Sequence, residues 1–259
     1  FMAPMAAHLI PDGAMLSRLM LAFVAFSLCA SAVYVANDLL DLDSDRQHPR
    51  KRLRAFAAGQ LPVAVGVVLV PVLLVAALLC ALPVGWAFGS WLLFYFALTC
   101  AYSLWLKRLV IIDCLALAML YTLRVIAGAA ALSIPLSFWL LAFSAFFFLS
   151  LAFVKRYAEL DVQAKLGRER AHGRGYLTSD ATLVQTFGLM SGYASVLVLA
   201  LYLNSDAVVR LYRAPELIWA AVPVLLYWIS RIWMKAHRGE MHDDPLVFAL
   251  RDRVGLIAG

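Results

Sequence analysis

The chain has 259 residues, of which 64% are hydrophobic and only 15% charged, with a mean hydropathy of +0.85. Soluble domains are roughly 45–50% apolar and about 25% charged, so this composition excludes a disordered, collagen-like or disulfide-stapled secreted protein. It points to an all-α, polytopic transmembrane bundle that uses residues 1–259 as one domain. The net charge is +6 and the pI is near 9.3. Because the bases flank apolar runs, they imply anionic headgroups or a phosphorylated substrate and not nucleic acid.

The opening Phe1–Ile10 is apolar and uncharged and lacks the basic start of a signal peptide. It reads as the end of a membrane helix whose start is missing. Gly255–Gly259 stops as another apolar run begins, so a fragment is expected. Seven runs are long enough to span a bilayer at about 20 residues each. They lie near 14–36, 61–82, 86–106, 111–132, 136–154, 181–203 and 215–234. Pro62, Pro135 and Pro215 sit at span starts, where proline is tolerated. Pro71 and Pro223 fall inside spans and are expected to kink them. Cys29, Cys80, Cys100 and Cys114 all lie in apolar stretches without a C-x-x-C pair, which predicts small buried side chains.

The connections alternate in character. Those at 83–85, 133–135 and 204–214 are short and nearly neutral, whereas 37–60, 107–110, 155–180 and 235–253 are long or basic. The positive-inside rule puts the second set in the cytoplasm and the protein in the inner (cytoplasmic) membrane. Most of the acids gather on this same side, including Asp38, Asp41, Asp43, Asp45, Asp113, Glu159 and Asp161. Acids have no topogenic reason to do so. Both signs on one rim predict a polar site at the cytoplasmic mouth of the bundle.

The sharpest segment is Asn37-Asp38-Leu39-Leu40-Asp41-Leu42-Asp43-Ser44-Asp45, closing the first full span. If the helix continues from Tyr34, Asn37, Asp41 and Asp45 recur every four residues, and Asp38 stands three and seven residues from Asp41 and Asp45. These oxygens then share one face over about 11 Å of rise. Like charges so placed need a counter-charge, and Mg²⁺ supplies one while completing its shell with water and phosphate. Leu39, Leu40 and Leu42 are expected to keep the opposite face in the bundle. The cations that follow, Arg46, Arg50, Lys51, Arg52 and Arg54, suit a phosphate with more charge than the metal neutralises. His48, before Pro49, reads as structural.

The pattern Asn37-Asp38-x-x-Asp41-x-x-x-Asp45 resembles the N-D-x-x-D-x-x-x-D signature of the UbiA superfamily of membrane prenyltransferases. The resemblance implies a bundle of about nine spans, with seven full ones visible here. It implies a Mg²⁺-bound diphosphate held by Asp38, Asp41 and Asp45 with Asn37 assisting. The continuation His48-Pro49-x-Lys51-Arg52-x-Arg54 with Ala57-x-Gly59 is similar to the branch of decaprenyl-phosphate phosphoribosyltransferases, with Ala55 where that branch usually has proline. Lys155-Arg156-Tyr157-Ala158-Glu159-Leu160-Asp161 resembles the same branch and replaces the second aspartate-rich motif of aromatic prenyltransferases. On this reading Lys155 and Arg156 touch phosphate. Glu159 either ligates metal or binds ribose hydroxyls, and Tyr157 and Asp161 join the substrate-binding set.

Arg124 is a mid-span charge and is expected to face the bundle interior, lining a cavity with Asp113 three turns earlier on one helical face. His237, His242, Asp243 and Asp244 read better as a helix cap, with Asp244 before Pro245, than as a metal cluster. Gly85-x-x-x-Gly89 and Gly188-x-x-x-Gly192 permit close helix contact.

The leading expectation is transfer from phosphoribosyl diphosphate to a polyprenyl phosphate. The alternatives are prenyl transfer from a polyprenyl diphosphate to an aromatic acceptor, and, from another class, a cation transporter or channel. The last would place its acids near the midplane on broken helices, not at one mouth.

Overall fold

The computed structural model describes residues 12–47, 51–170, 173–205 and 219–241, without the side chains of Ser44 and Lys51. Phe1–Ile10, His48-Pro49-Arg50, Pro215, His242-Asp243-Asp244 and Gly255–Gly259 lie outside the described residues. Eight helices are described: α1 (Gly13–Leu40), α2 (Leu42–Gln47), α3 (Val63–Ala81), α4 (Trp86–Leu104), α5 (Ile112–Ala131), α6 (Phe138–Lys165), α7 (Ala181–Leu203) and α8 (Ala221–His237). Among the described residues there is no β-strand beyond one isolated bridge between Arg170 and Leu177. Helix is what such apolar runs must form in lipid, because it satisfies every backbone polar group within the segment. Asp12 starts α1 by accepting the Met15 N–H at 2.7 Å.

Six helices are long and apolar enough to cross a membrane. They match the first six spans read from the sequence. The seventh, α8, has 17 described residues, about 26 Å of helix against a hydrocarbon core of about 30 Å. The end of α6 differs from expectation. The sequence reading stops the span at 154, where charges begin, but the helix runs on to Lys165. Its charges are compatible with helix: Lys165 reaches Asp161 one turn back at 2.7 Å. Pro223 is the third residue of α8, not a mid-span proline, and in a first turn no N–H is needed. Helix α3 runs through Pro71.

The chain forms two compact units: Phe1–Leu104 with Leu123–Pro135, and Trp105–Thr122 with Leu136–Gly259. In the first, α1 turns a row of small residues inward, with Ala22, Ala25, Cys29 and Ala32 buried, and packs mainly against α3 and then α4. Phe26 of α1 meets Tyr95 of α4 with ring centroids 4.2 Å apart. In the second, α6, α7 and α8 share a core that includes Phe153, Val154, Val184, Ile229, Ile232 and Trp233. Ser150 ties the three helices together, donating to Gly188 O at 2.7 Å and accepting from Trp233 Nε1 at 3.1 Å. All four cysteines are free thiols, with Cys29 and Cys114 buried and the other two half-buried.

The two glycine pairs behave differently. A Cβ on Gly188 would sit 2.1 Å from the Trp233 ring, and one on Gly192 2.8 Å from Ile229, so this pair admits α8 against α7. Gly85 and Gly89 have no neighbour within 4 Å of such a Cβ, and Gly85 is a turn residue with φ 125°. Gly188→Ala is therefore expected to cost about 1–3 kcal/mol through overpacking. Gly89→Ala, inside α4, should be neutral or gain up to about 1 kcal/mol of helix propensity. Thermal unfolding of both variants in detergent checks the contrast.

Candidate active site

The acidic segment keeps its helical spacing across a break. Helix α1 ends at Leu40, and Asp41 caps it with φ −93° and ψ 8°. Yet the Asp41 N–H still bonds Asn37 O at 2.9 Å, and the Asp45 N–H bonds Asp41 O at 2.8 Å. Both are four-residue bonds, so the three residues stay one turn apart. Asn37, Asp38 and Asp41 are half-buried, Asp45 is 1% exposed, and the Asp43 side chain is 96% exposed. The acids on the common face are thus withdrawn from solvent, whereas Asp43 is not.

Arg54 provides counter-charge. Its Nη1 donates to Asp38 Oδ1 at 2.9 Å and to Asp45 Oδ2 at 2.7 Å. A tight turn delivers it: the Ala58 N–H bonds Arg54 O at 2.8 Å, and Gly59 closes the turn at φ 72°, a conformation that suits glycine. The anchor is Phe56, 5% exposed, which meets Leu39 over Gly66 of α3, where a Cβ would stand 2.9 Å from both side chains. Arg54, expected from the sequence to meet a phosphate, here pairs with two carboxylates of the acidic face. Arg46 instead lies 4.0 Å from the exposed Asp43, and Arg52 is exposed. Leu39 packs as expected, but Leu40 is 71% exposed, because the turn at Asp41 takes it off the packed face.

The donor set suits a hard cation. Asp38 and Asp45 flank one cationic nitrogen, which stands in for positive charge at that point. Among the described residues no group of three or more His, Cys, Asp or Glu is close enough to form a complete metal cage. Mg²⁺ does not require one, since it typically takes one or two protein carboxylates and fills its shell with water and phosphate. Asp38 and Asp45, which meet at Arg54, are two carboxylates that could hold such an ion, with Asp41 and Asn37 on the same helical face.

The second unit carries a separate charged network. Arg156 of α6 is completely buried. Its Nε donates to Asp113 Oδ2 at 2.8 Å, its Nη2 lies 2.6 Å from the same oxygen, and its Nη1 bonds Glu159. Asp113, also 0% exposed, accepts the Tyr176 hydroxyl at 2.6 Å and the Cys114 N–H at 2.7 Å. Arg174 lies 3.5 Å from Glu159 and 3.8 Å from Asp113. Two acids and two guanidiniums balance. Burial, with Cys114 and Asp113 adding, holds the Tyr176 phenol well above its ordinary pKa, so it stays a proton donor.

Several sequence expectations change here. Arg156 does not offer its charge to a phosphate, because it has no accessible surface and its Nε and Nη1 are engaged by Asp113 and Glu159. Glu159 is a bridge between Arg156 and Arg174, not an open metal ligand. Tyr157 is a packing residue, 7% exposed, with its hydroxyl 3.0 Å from His237 Nδ1 and its ring against Trp233. Asp161 is paired with Lys165 at 2.7 Å. Lys155 is exposed. Arg124 is exposed, and its guanidinium lies 6.0 Å from the centroid of the buried Tyr95 ring, a cation–π contact. The sequence reading also missed Arg174 and Tyr176. Their signal was faint: an aromatic within a polar connection, opposite an aspartate that had no partner on its own helix.

Comparison with known proteins agrees with this architecture. The model of the UbiA prenyltransferase family matches residues 1–251. The chain is 40% identical over 238 residues to the uncharacterized protein y4nM of Sinorhizobium fredii, covering 92% of this chain and 46% of that one. It is 39% identical to the nodulation protein NoeC of Azorhizobium caulinodans, covering 92% and 78%. It is 34% identical to the decaprenyl-phosphate phosphoribosyltransferase of Mycobacterium tuberculosis, covering 92% and 77%. The chain thus spans about half of the first relative and about three quarters of the others. Among solved structures, a UbiA homolog from Archaeoglobus fulgidus bound to GPP and Mg²⁺ superimposes with a TM-score of 0.67 at 15% identity, covering 85% of this chain and 75% of that one. The chain belongs to the UbiA prenyltransferase family and has its membrane-bundle fold.

Proposed function

We propose that the chain is a Mg²⁺-dependent transferase that moves a phosphoribosyl group from phosphoribosyl diphosphate to a polyprenyl phosphate, with its site on the cytoplasmic side of the membrane. The observation that carries this reading is the chemistry of α6. Where a second metal cluster would stand, Glu159 is neutralised by Arg156 and Arg174. That leaves the carboxylate face of Asp38, Asp41 and Asp45 as the metal-binding element. The similarity to decaprenyl-phosphate phosphoribosyltransferases supports the same donor.

When bound, Mg²⁺ supplies charge neutralisation for the departing diphosphate. The chain's own groups do the rest. Asp38, Asp41 and Asp45 would hold the metal that the diphosphate end of the donor meets. Arg54, already beside these carboxylates, is placed to follow the charge as it develops on the leaving oxygen. An oxygen of the lipid phosphate forms the new bond to ribose C1. The C1–O bond to diphosphate breaks, and its electron pair leaves with the diphosphate. The attacking oxygen is already ionised, so no general base is required.

A second reading is prenyl transfer from a prenyl diphosphate to an aromatic acceptor. The GPP bound in the structural neighbour favours it, but at 15% identity that likeness carries the fold alone. Purified protein given phosphoribosyl diphosphate with polyprenyl phosphate should form a lipid-linked phosphoribosyl product. Prenyl diphosphate with an aromatic acid should give none. The opposite pattern selects the second reading.

Two variants test the site itself. Asp41→Ala should lower turnover by on the order of 10²–10³-fold while the protein elutes as a folded species, and full activity in it would defeat the assignment. Arg54→Ala should move two affinities in opposite directions. Without a competing guanidinium, Mg²⁺ should bind the donor-free protein several-fold more tightly, whereas the donor KM should rise roughly tenfold. Calorimetric Mg²⁺ titration and steady-state kinetics measure the two effects.

A further inference from the structure

Two stretches in the second unit, 105–111 before α5 and 173–180 before α7, are fastened by contacts that the proposed reaction does not use. Gly175 is so close to the first that a Cβ there would stand 2.5 Å from the Arg108 carbonyl oxygen and 3.2 Å from Val110 Cγ2. On one side of it, Arg174 donates to Lys107 O at 3.3 Å. On the other, the Tyr176 hydroxyl accepts the Ile111 N–H at 2.7 Å. Ile111 has φ 69°, which a β-branched residue seldom adopts unless its surroundings hold it there. Tyr176, 1% exposed, in turn donates a hydrogen bond to Asp113, and Arg156 fixes the other oxygen of that carboxylate. The Arg156 guanidinium also lies 5.6 Å from the Tyr176 ring centroid. A continuous chain of contacts therefore runs from Ile111 through Tyr176, Asp113 and Arg156 to Glu159.

Accessibility divides this network. The side chains of Asp113 and Arg156 are 0% exposed, whereas Glu159 is 33% and Arg174 18% exposed. The buried members cannot meet a substrate. The outer two can, and their orientation is set by the buried ones and by the fit of Gly175.

We infer that Asp113, Arg156 and Tyr176 are positioning residues: they clamp residues 173–180 onto connection 105–111 and so hold Glu159 and Arg174 in one arrangement, in which this pair of the second unit can meet hydroxyl and phosphate groups of a substrate. The substrate part of this inference rests on the proposed function; the clamp itself does not.

Tyr176→Phe is the direct test, because it keeps the ring and removes the hydroxyl that joins Ile111 to Asp113. In the folded, detergent-solubilised full chain, tryptic cleavage after Lys107, Arg108, Arg168 or Arg170 should become about tenfold faster. The donor KM should rise about tenfold with kcat within about twofold of wild type. Gly175→Ala leaves every charged group in place and wedges the two connections apart, so it should reproduce both effects and keeps the test open if Tyr176→Phe does not fold. Wild-type cleavage in the folded variants overturns the clamp. Faster cleavage with unchanged KM overturns its role in positioning substrate, and a fall in kcat at constant KM does the same by marking a group that acts on the reacting atoms. Proteolysis needs no substrate, and if the wild type uses prenyl diphosphate, the KM comparison is made with that donor. Failure of the proposed reaction is thereby kept distinct from failure of this inference.

Discussion

A carboxylate at the end of an apolar helix must be given a counter-charge, and the polar architecture of both units follows from how that is done. In the first unit, Arg54 is 41% exposed and shared between Asp38 and Asp45. Its pair with Asp38, part-exposed on both sides, contributes little to stability, about 0–1 kcal/mol, whereas Asp45 is 1% exposed and needs a counter-charge at that point, whether from Arg54 or from a metal. In the second unit Arg156 and Asp113 are both fully buried. Removing one partner of such a pair costs about 3–5 kcal/mol, because the other is left charged in a medium that cannot solvate it. The same ion-pair chemistry is thus exchangeable in one place and fixed in the other. A weakly held guanidinium can give way to a metal and its diphosphate. A buried one serves to fasten chain segments.

This difference explains which parts of the site could be read from the sequence. Asn37, Asp41 and Asp45 are related by local periodicity, and the backbone bonds from Asp41 to Asn37 and from Asp45 to Asp41 preserve it even where α1 ends. Arg54 follows within one connection. Asp113 was different. Helical spacing places it on one cavity face with Arg124, eleven residues along the same helix, yet its partners Arg156 and Tyr176 are 43 and 63 residues away. Helical spacing relates residues on one element; it carries no information about which element packs opposite. The glycines show the same limit. Gly85-x-x-x-Gly89 and Gly188-x-x-x-Gly192 are indistinguishable as patterns, and only the second has a tryptophan lying against it.

Span positions were legible because the apolar runs are long and the alternative to helix in lipid is an unsatisfied backbone. Their ends were less so. Charge marks where a helix leaves an apolar environment, not where it stops, and α6 continues for eleven residues past the expected limit at 154.

That continuation bears directly on the donor. In a loop, Lys155 and Arg156 could turn the same way and grip one phosphate together. On a helix successive side chains point about 100° apart. Here Arg156 points into the core and Lys155 out of it. The pair therefore divides: Lys155 faces outward, and Arg156 is held inward by Asp113 and Glu159. The K-R-Y-x-E-L segment is then less a phosphate-binding run than a helical face with one outward cation and an inward anchor. Exchanging arginine for lysine at 156 would not be conservative, because a point charge cannot bond Asp113 through two nitrogens while also reaching Glu159.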